Sequence, residues 1–223
     1  MRHSNDSTPF SNWCEVSLMK DLLRQHWLDL RQRLASQVDS HASLSLRIPG
    51  EKGMWLGKLD DAEPLNVAWS ASHEAPRTHA AIYTARSDVG AVLLGGGAFG
   101  NCLVDFGGVL PILFDEQARH LGRMGPPVTA ESQLRQALQE GGNVILINGV
   151  PACLGATGTR MALNAELFEK CAKAYTLAKA TGAQLTRLPR WVGFIANGRL
   201  MKDEKRAARC FALGQLPPES RGY

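Results

Sequence analysis

Gly95-Gly96-Gly97-Ala98-Phe99-Gly100 follows the apolar run Val89 to Leu94 and fits the spacing G-x-G-x-x-G. Glycines placed this way after a strand let backbone N–H groups approach the phosphates of a dinucleotide. Asp115 lies some distance on, at the end of another apolar run. The chain in between argues against that reading. Gly107-Gly108 leaves too little room for the helix of a βαβ unit, and the motif begins at mid-chain rather than at a first strand. A simpler chemistry remains open, in which exposed N–H groups of Gly95, Gly96 and Gly97 hold an anion.

Other residue types that could do chemistry are scattered. A metal centre needs imidazoles or thiolates at ligand spacing. Of His41, His73, His79 and His120, only His73 and His79 lie close in sequence, and no pair stands four apart on one helix. The five cysteines (Cys14, Cys102, Cys153, Cys171, Cys210) are odd in number, far apart and without a CxxC pair. They read as reduced thiols, mostly buried as small hydrophobes. His79 is expected to pack or hydrogen-bond within the fold, Tyr83 and Arg86 to anchor a helix to the strand that follows, and Asp88 to cap a turn. Ser43, Ser45, Ser70 and Ser72 could contact an anion, although serines at strand ends more often form turns. The run Lys202 to Arg209, broken by Asp203 and Glu204, reads as a solvated helix face.

The elements that must position these residues follow from periodicity. Val16, Met19, Leu22, Leu23, Leu30 and Leu34 recur at helical spacing between Cys14 and Val38. Ala42 to Ile48 alternates, with Leu44, Leu46 and Ile48 on one face of a half-buried strand; the Pro49 to Gly53 turn and Met54-Trp55-Leu56 complete a hairpin. Leu65 to Trp69 is a third strand, Arg77 to Ala85 a helix, and Val89 to Leu94 a strand covered on both faces. Asp115-Glu116 opens a helix through His120. Thr129 is the candidate N-cap of a helix through Leu138. Asn143 to Ile147 is another buried strand, Thr157 to Thr181 a long helix closed by Gly182, and Leu200 to Leu213 the last helix. The mixture predicts an α/β fold, a three-layer α/β/α domain around a mixed, largely antiparallel sheet. One domain is expected over residues 14–215, with a disordered N-terminal tail over 1–13 and a C-terminal tail over 216–223.

Composition sets the outer bounds. A chain of 223 residues, 44% hydrophobic, suffices for one packed α/β domain. A formal charge of +4, with basic residues spread along the chain, gives little support to nucleic-acid binding. No apolar run approaches the length of a membrane span, and the start MRHSNDSTPFSN has no apolar core of a signal peptide. A soluble, cytoplasmic protein with neither membrane nor nucleic-acid partners is the expectation.

The segment His79 to Val92, followed by Leu110 to Gly122 and then Val144 to Val150 with Gly155, resembles in residue type and order the class II aldolase/adducin family, whose enzymes include fuculose-phosphate and rhamnulose-phosphate aldolases and ribulose-phosphate 4-epimerase. His79-Ala-Ala-Ile-Tyr83-Thr-Ala-Arg86-Ser-Asp88-Val-Gly-Ala-Val92 is similar to that family's H-x-x-x-Y-x-x-R-P-D-x-x-A-V, with Ser87 in place of proline. Leu110 to Gly122, then Val144 to Val150 with Gly155, continue in the same order. The resemblance implies a divalent metal, usually zinc, held by an H-x-H pair just after this strand and a third histidine in an N-H-G turn. Such a metal is a Lewis acid for the enediolate oxygens formed when a carbon–carbon bond beside a carbonyl breaks. Here those positions fall on Leu94, Gly96 and either Asn148 or Gly149. No metal cofactor is therefore expected, zinc entering only if a site is rebuilt elsewhere.

The family's acid/base glutamate stands four residues before the helical histidine, whereas Glu74 stands five before His79 and Ala75 takes the direct position. An insertion around Pro76 would restore Glu74 as the candidate catalytic residue. The family's G-N-x-S phosphate turn corresponds to Ala42-Ser43-Leu44-Ser45, and its T-P-S-G turn to Gly57-Lys58-Leu59. Two readings follow. One is a degenerate family member that binds a small anion or serves as an oligomeric scaffold, a homo-oligomer and by resemblance a tetramer. The other is a carbon–carbon lyase, an aldolase or decarboxylase acting on a sugar-phosphate-like or hydroxy-acid substrate through a rebuilt or metal-free site. Candidate ligand contacts are Ser43, Ser72, Arg77, Gly95, Gly96, Gly97 and Asn148.

Overall fold

The computed structural model describes residues 9–139 and 142–219. In chain order the elements are α1 (Pro9–Leu34), β1 (Ser43–Ile48), β2 (Gly53–Lys58), β3 (Leu65–Ala68), α2 (Glu74–Ala85), β4 (Ala91–Leu94), α3 (Ala98–Asn101), a 3-10 turn (Cys102–Phe106), α4 (Asp115–His120), α5 (Glu131–Ala137), β5 (Val144–Ile147), β6 (Val150–Gly155), α6 (Gly158–Ala180) and α7 (Arg190–Ala212). The strands form one six-stranded sheet in the order β3-β2-β1-β4-β6-β5. Every ladder in it is antiparallel, which corrects the expectation of a mixed sheet. The parallel contact is an isolated bridge between Val128 and Ile147.

Alternate side chains of a strand point to opposite faces, and both faces of this sheet are apolar and covered. Leu44, Leu46, Leu93, Leu146 and Cys153 join Trp27, Leu30 and Leu34 of α1 and Met161, Phe168 and Cys171 of α6. Met54, Leu56, Val92, Ile145 and Leu154 join Ile82 and Tyr83 of α2 and Leu134 of α5. The register keeps the sets apart, pairing Leu44 with Leu93 and Ser45 with Val92 across β1 and β4. β1 is accordingly not half-buried. Ser45, on its polar side, is fully buried beneath α2.

Local chemistry explains several boundaries. Thr157 caps α6, its Oγ1 accepting the Arg160 N–H, and Gly182 takes the left-handed conformation that closes it, as expected. Thr129 is not the cap of α5; Ala130 holds that position without a side-chain bond, while the Thr129 N–H donates to Gln133 Oε1. α1 begins at Pro9, so part of the expected N-terminal tail is helical, and residues 1–8 lie outside the described residues. Its inner side is built by Leu23, Trp27, Leu30 and Leu34, whereas Leu22 is exposed. Trp27 Nε1–H donates to the Leu44 carbonyl, and a Cβ at Gly57 would lie 2.8 Å from the Trp27 ring. α7 reaches further back than expected and buries Leu200, Glu204, Ala207 and Phe211 as one stripe. The segment Lys202 to Arg209 is thus only partly a solvated face.

Candidate functional site

The polar side of β1 and the inner side of α2 meet in a buried hydrogen-bond chain. His79 and Tyr83, four residues apart, lie on one face of α2 and point at Ser43 and Ser45, two apart on β1. Ser43 Oγ is 2.9 Å from His79 Nε2, and Ser45 Oγ is 2.7 Å from His79 Nδ1. Ser45 Oγ is also 2.7 Å from the Tyr83 hydroxyl, which lies 3.2 Å from the Ser45 carbonyl. Burial pushes His79 down to about 3, so its imidazole is neutral, and burial pushes the Tyr83 phenol up. Trp69 stacks on Tyr83 with centroids 5.6 Å apart, and the Arg47 guanidinium sits over both Trp69 and Phe211. Only Ser43, half-buried, brings this chain of groups toward the surface.

Ser43 also marks where the expected ligand positions gather. It pairs with Leu94 across the β1–β4 ladder, and the Gly95 N–H donates to the Pro151 carbonyl 2.8 Å away. Gly96 and Gly97 are buried. A Cβ at Gly96 would lie 2.8 Å from Asn101 Oδ1 and 2.9 Å from Pro151, and one at Gly97 would lie 2.4 Å from the Gln37 carbonyl. The glycine run is therefore a close-packed crossing of chain segments. Asn148 and Gly149 connect β5 to β6 with φ of 51° and 81°, the positive pair that a two-residue hairpin turn of the I′ kind requires and that Asn-Gly supplies. Leu94, Gly96 and Gly149 carry no metal-donor side chain, and Asn148 answers a turn requirement. The residues in place do not fit a histidine-held zinc. Among the described residues no group of three or more His, Cys, Asp or Glu is arranged to hold a metal.

Glu74, Ser72 and Arg77 are all exposed, Glu74 opening α2. Five residues of helix separate Glu74 from His79, a rotation of about 140° around the axis, so the two leave α2 in different directions. Two carboxylates stand out that sequence reasoning did not single out as site residues. Glu169 of α6 accepts the N–H groups of Phe99 at 2.7 Å and Gly100 at 2.8 Å, placing a protein carboxylate beside the glycine run. Nothing local in the sequence of α6 signals this partner, which is about seventy residues distant. Glu204 of α7 was visible only as an acid inside a basic run.

Arg86 and Asp88 form a buried pair rather than a simple turn cap. Arg86 donates through Nε and Nη2 to Asp88 and through Nη1 to the Gly142 carbonyl, and Glu204 Oε1 lies 3.0 Å from Nη2. One guanidinium thus serves two carboxylates. The second is poorly satisfied, since Glu204 Oε1 has no aligned hydrogen bond, and burial pushes Glu204 up to about 7. Of the described cysteines, Cys153 and Cys171 are buried, Cys210 is partly buried and Cys102 is exposed.

No protein-family model matches the sequence, and no curated protein matches it. Solved structures do. YgbL from Klebsiella pneumoniae superposes with a TM-score of 0.68 at 15% identity, over 80% of this chain and 99% of that one. L-fuculose 1-phosphate aldolase from Glaciozyma antarctica PI12 gives 0.66 at 15% identity, over 98% and 97% of the two chains. An aldolase II superfamily protein from Pseudomonas syringae gives 0.66 at 18% identity, over 86% and 90%. The chain has a class II aldolase-like fold. At these identities the likeness is one of fold.

Proposed function

We propose that this is a class II aldolase-like protein, built in three α/β/α layers, that has given up the zinc site and binds a small oxyanion, a phosphate or carboxylate. The observation that carries the reading is the nature of the residues where the metal ligands would stand. Leucine at 94, a close-packed glycine at 96 and an Asn-Gly turn at 148 and 149 keep the framework and supply no imidazole. Ser43 is the candidate contact best supported by geometry, because its hydroxyl is held by His79 at the half-buried end of β1. Ser72 and Arg77, exposed near the start of α2, complete the candidate ligand set, together with the Gly95 to Gly97 backbone and Asn148. The protein is proposed to work as a homo-oligomer, a tetramer by analogy of fold, in the cytoplasm. Among the described residues no helix is long and apolar enough to cross a membrane.

Metal analysis of protein purified without chelator tests the proposal. Less than about a tenth of an equivalent of zinc or manganese is the expected result, and a full equivalent overturns it. A lyase reading stands second, favoured by the exposed carboxylate of Glu74 at the head of α2 within a fold shared with a fuculose-phosphate aldolase. If turnover of a sugar phosphate or hydroxy acid is found, Glu74→Gln should lower kcat at least a hundredfold. Unchanged turnover removes Glu74 as the base.

A further inference from the structure

Proton counting along the chain Ser43, His79, Ser45, Tyr83 leaves two self-consistent arrangements, since neutral imidazole has one donor and one acceptor nitrogen. In the first, the Tyr83 hydroxyl donates to the Ser45 carbonyl, Ser45 Oγ–H donates to the Tyr83 oxygen, His79 Nδ1–H donates to Ser45 Oγ, and Ser43 Oγ–H donates to His79 Nε2. All four donors are satisfied internally, and Ser43 offers only lone pairs outward. In the second, the three side-chain bonds reverse and the bond to the Ser45 carbonyl is given up. Tyr83 donates to Ser45 Oγ, Ser45 Oγ–H to Nδ1, and Nε2–H to Ser43 Oγ, which frees the Ser43 hydroxyl proton to donate outward. The second arrangement has one internal bond fewer and needs an external acceptor for the proton of half-buried Ser43, for which solvent serves and an oxyanion serves better.

We infer that these four residues form a polarity relay, in which Ser43 is an acceptor in the free protein and becomes a donor when an oxyanion binds, with His79 changing from its Nδ1–H to its Nε2–H tautomer. This rests on the anion-binding reading above and deepens it by naming the contact and the internal change that accompanies it. His79 is a positioning residue here, buried away from the ligand and acting through Ser43. The relay gives the site a chemical preference. An oxyanion, which can only accept, completes the second arrangement, whereas a ligand hydroxyl can donate to Ser43 and so bind with the better-bonded first arrangement left in place.

Tyr83 provides an independent handle. Removing its hydroxyl with Tyr83→Phe leaves the Ser45 proton without its buried acceptor in the first arrangement, and costs the second only one accepted bond. The variant should therefore hold His79 as Nε2–H with no ligand present.

The test uses the full chain with nitrogen-labelled histidine and long-range proton–nitrogen correlation spectra, which distinguish the two tautomers. The expected results are Nδ1–H for His79 in free wild-type protein, Nε2–H on saturation with inorganic phosphate, no switch with glycerol, and Nε2–H in free Tyr83→Phe. Ser43→Ala should weaken phosphate binding about tenfold. Phosphate binding without a tautomer change, or Nε2–H already in the free wild type, overturns the relay while leaving anion binding intact. Failure of phosphate to bind, with the Tyr83→Phe switch still present, overturns the anion reading and the ligand-driven relay with it, and leaves only the two internal proton arrangements. The wild-type measurements stand even if the tyrosine variant does not fold.

Discussion

Ser45 shows how a small hydroxyl can hold a fold together from inside. It satisfies His79 Nδ1 and the Tyr83 hydroxyl at once in a fully buried setting. Ser45→Ala leaves His79 Nδ1 without its partner, while the Tyr83 hydroxyl keeps the Ser45 carbonyl, so unfolding in urea should register a loss of about 1–3 kcal/mol for the one orphaned group. His79 adds an acid limit. Its folded-state value of about 3 lies below the ordinary 6.5, so the unfolded chain binds the proton more readily. Its contribution to stability is present above about pH 6.5 and is lost as pH falls toward about 3. Measured between those values, wild-type stability should fall with pH, and His79→Asn should show a shallower slope. Glu169 is the corresponding case at the glycine run. Glu169→Ala strips the acceptor from two backbone N–H groups and should cost about 1–3 kcal/mol. Of these residues His79 was legible as an internal partner of the fold. Ser45 was readable only as one serine among several, and Glu169 not at all, because its partners come from a distant segment.

At the scale of elements, α7 is the instructive one. Leu200, Ala207 and Phe211 account for its buried stripe as any amphipathic helix would, but Glu204 occupies the same stripe and meets Arg86 and Asp88. A carboxyl raised to about 7 from an ordinary 4.5 binds its proton more tightly when the helix is docked. The stabilisation is fully present below about pH 4.5 and is lost as pH rises through about 7. Hydrogen exchange at the α7 amides should therefore quicken between about pH 4.5 and 7 beyond its intrinsic rise. Glu204→Gln should remove that extra dependence; if it persists, Glu204 is not its source. From sequence, the helix could be read because its apolar spacing is local. Its inward-facing acid could not, since charge in a run of Lys and Arg reads as surface until the partner Arg86 is placed beneath it. The β5–β6 hairpin differs: Asn148-Gly149 is its turn, but β6 was not among the strands read from the sequence and Asn148 was read as a ligand contact.

For the whole molecule, the consequence of an antiparallel sheet covered on both faces is two cores, the larger on the α1 and α6 side. Leu46→Ala on the α1 and α6 side and Ile145→Ala on the α2 and α5 side should each cost about 2–5 kcal/mol in equilibrium unfolding. A marked insensitivity at either position would mean that its side of the sheet is not closed. The sequence by itself determined most of the helices and strands though not α3 or β6, the β1–β2 hairpin, the close of α6 at Gly182, the likeness to class II aldolases, and the absence of imidazole at the expected metal positions. Each of these depends on residue type or on spacing within a few turns of chain. Tertiary structure alone decided that Ser43, Ser45 and Arg47 of β1 face helices rather than water, that all ladders run antiparallel, and that Glu169 and Glu204 turn inward. An alternating strand states which side chains share a face, but whether the polar face is solvated depends on what packs over it, and α2 and α7 arrive there from far along the chain.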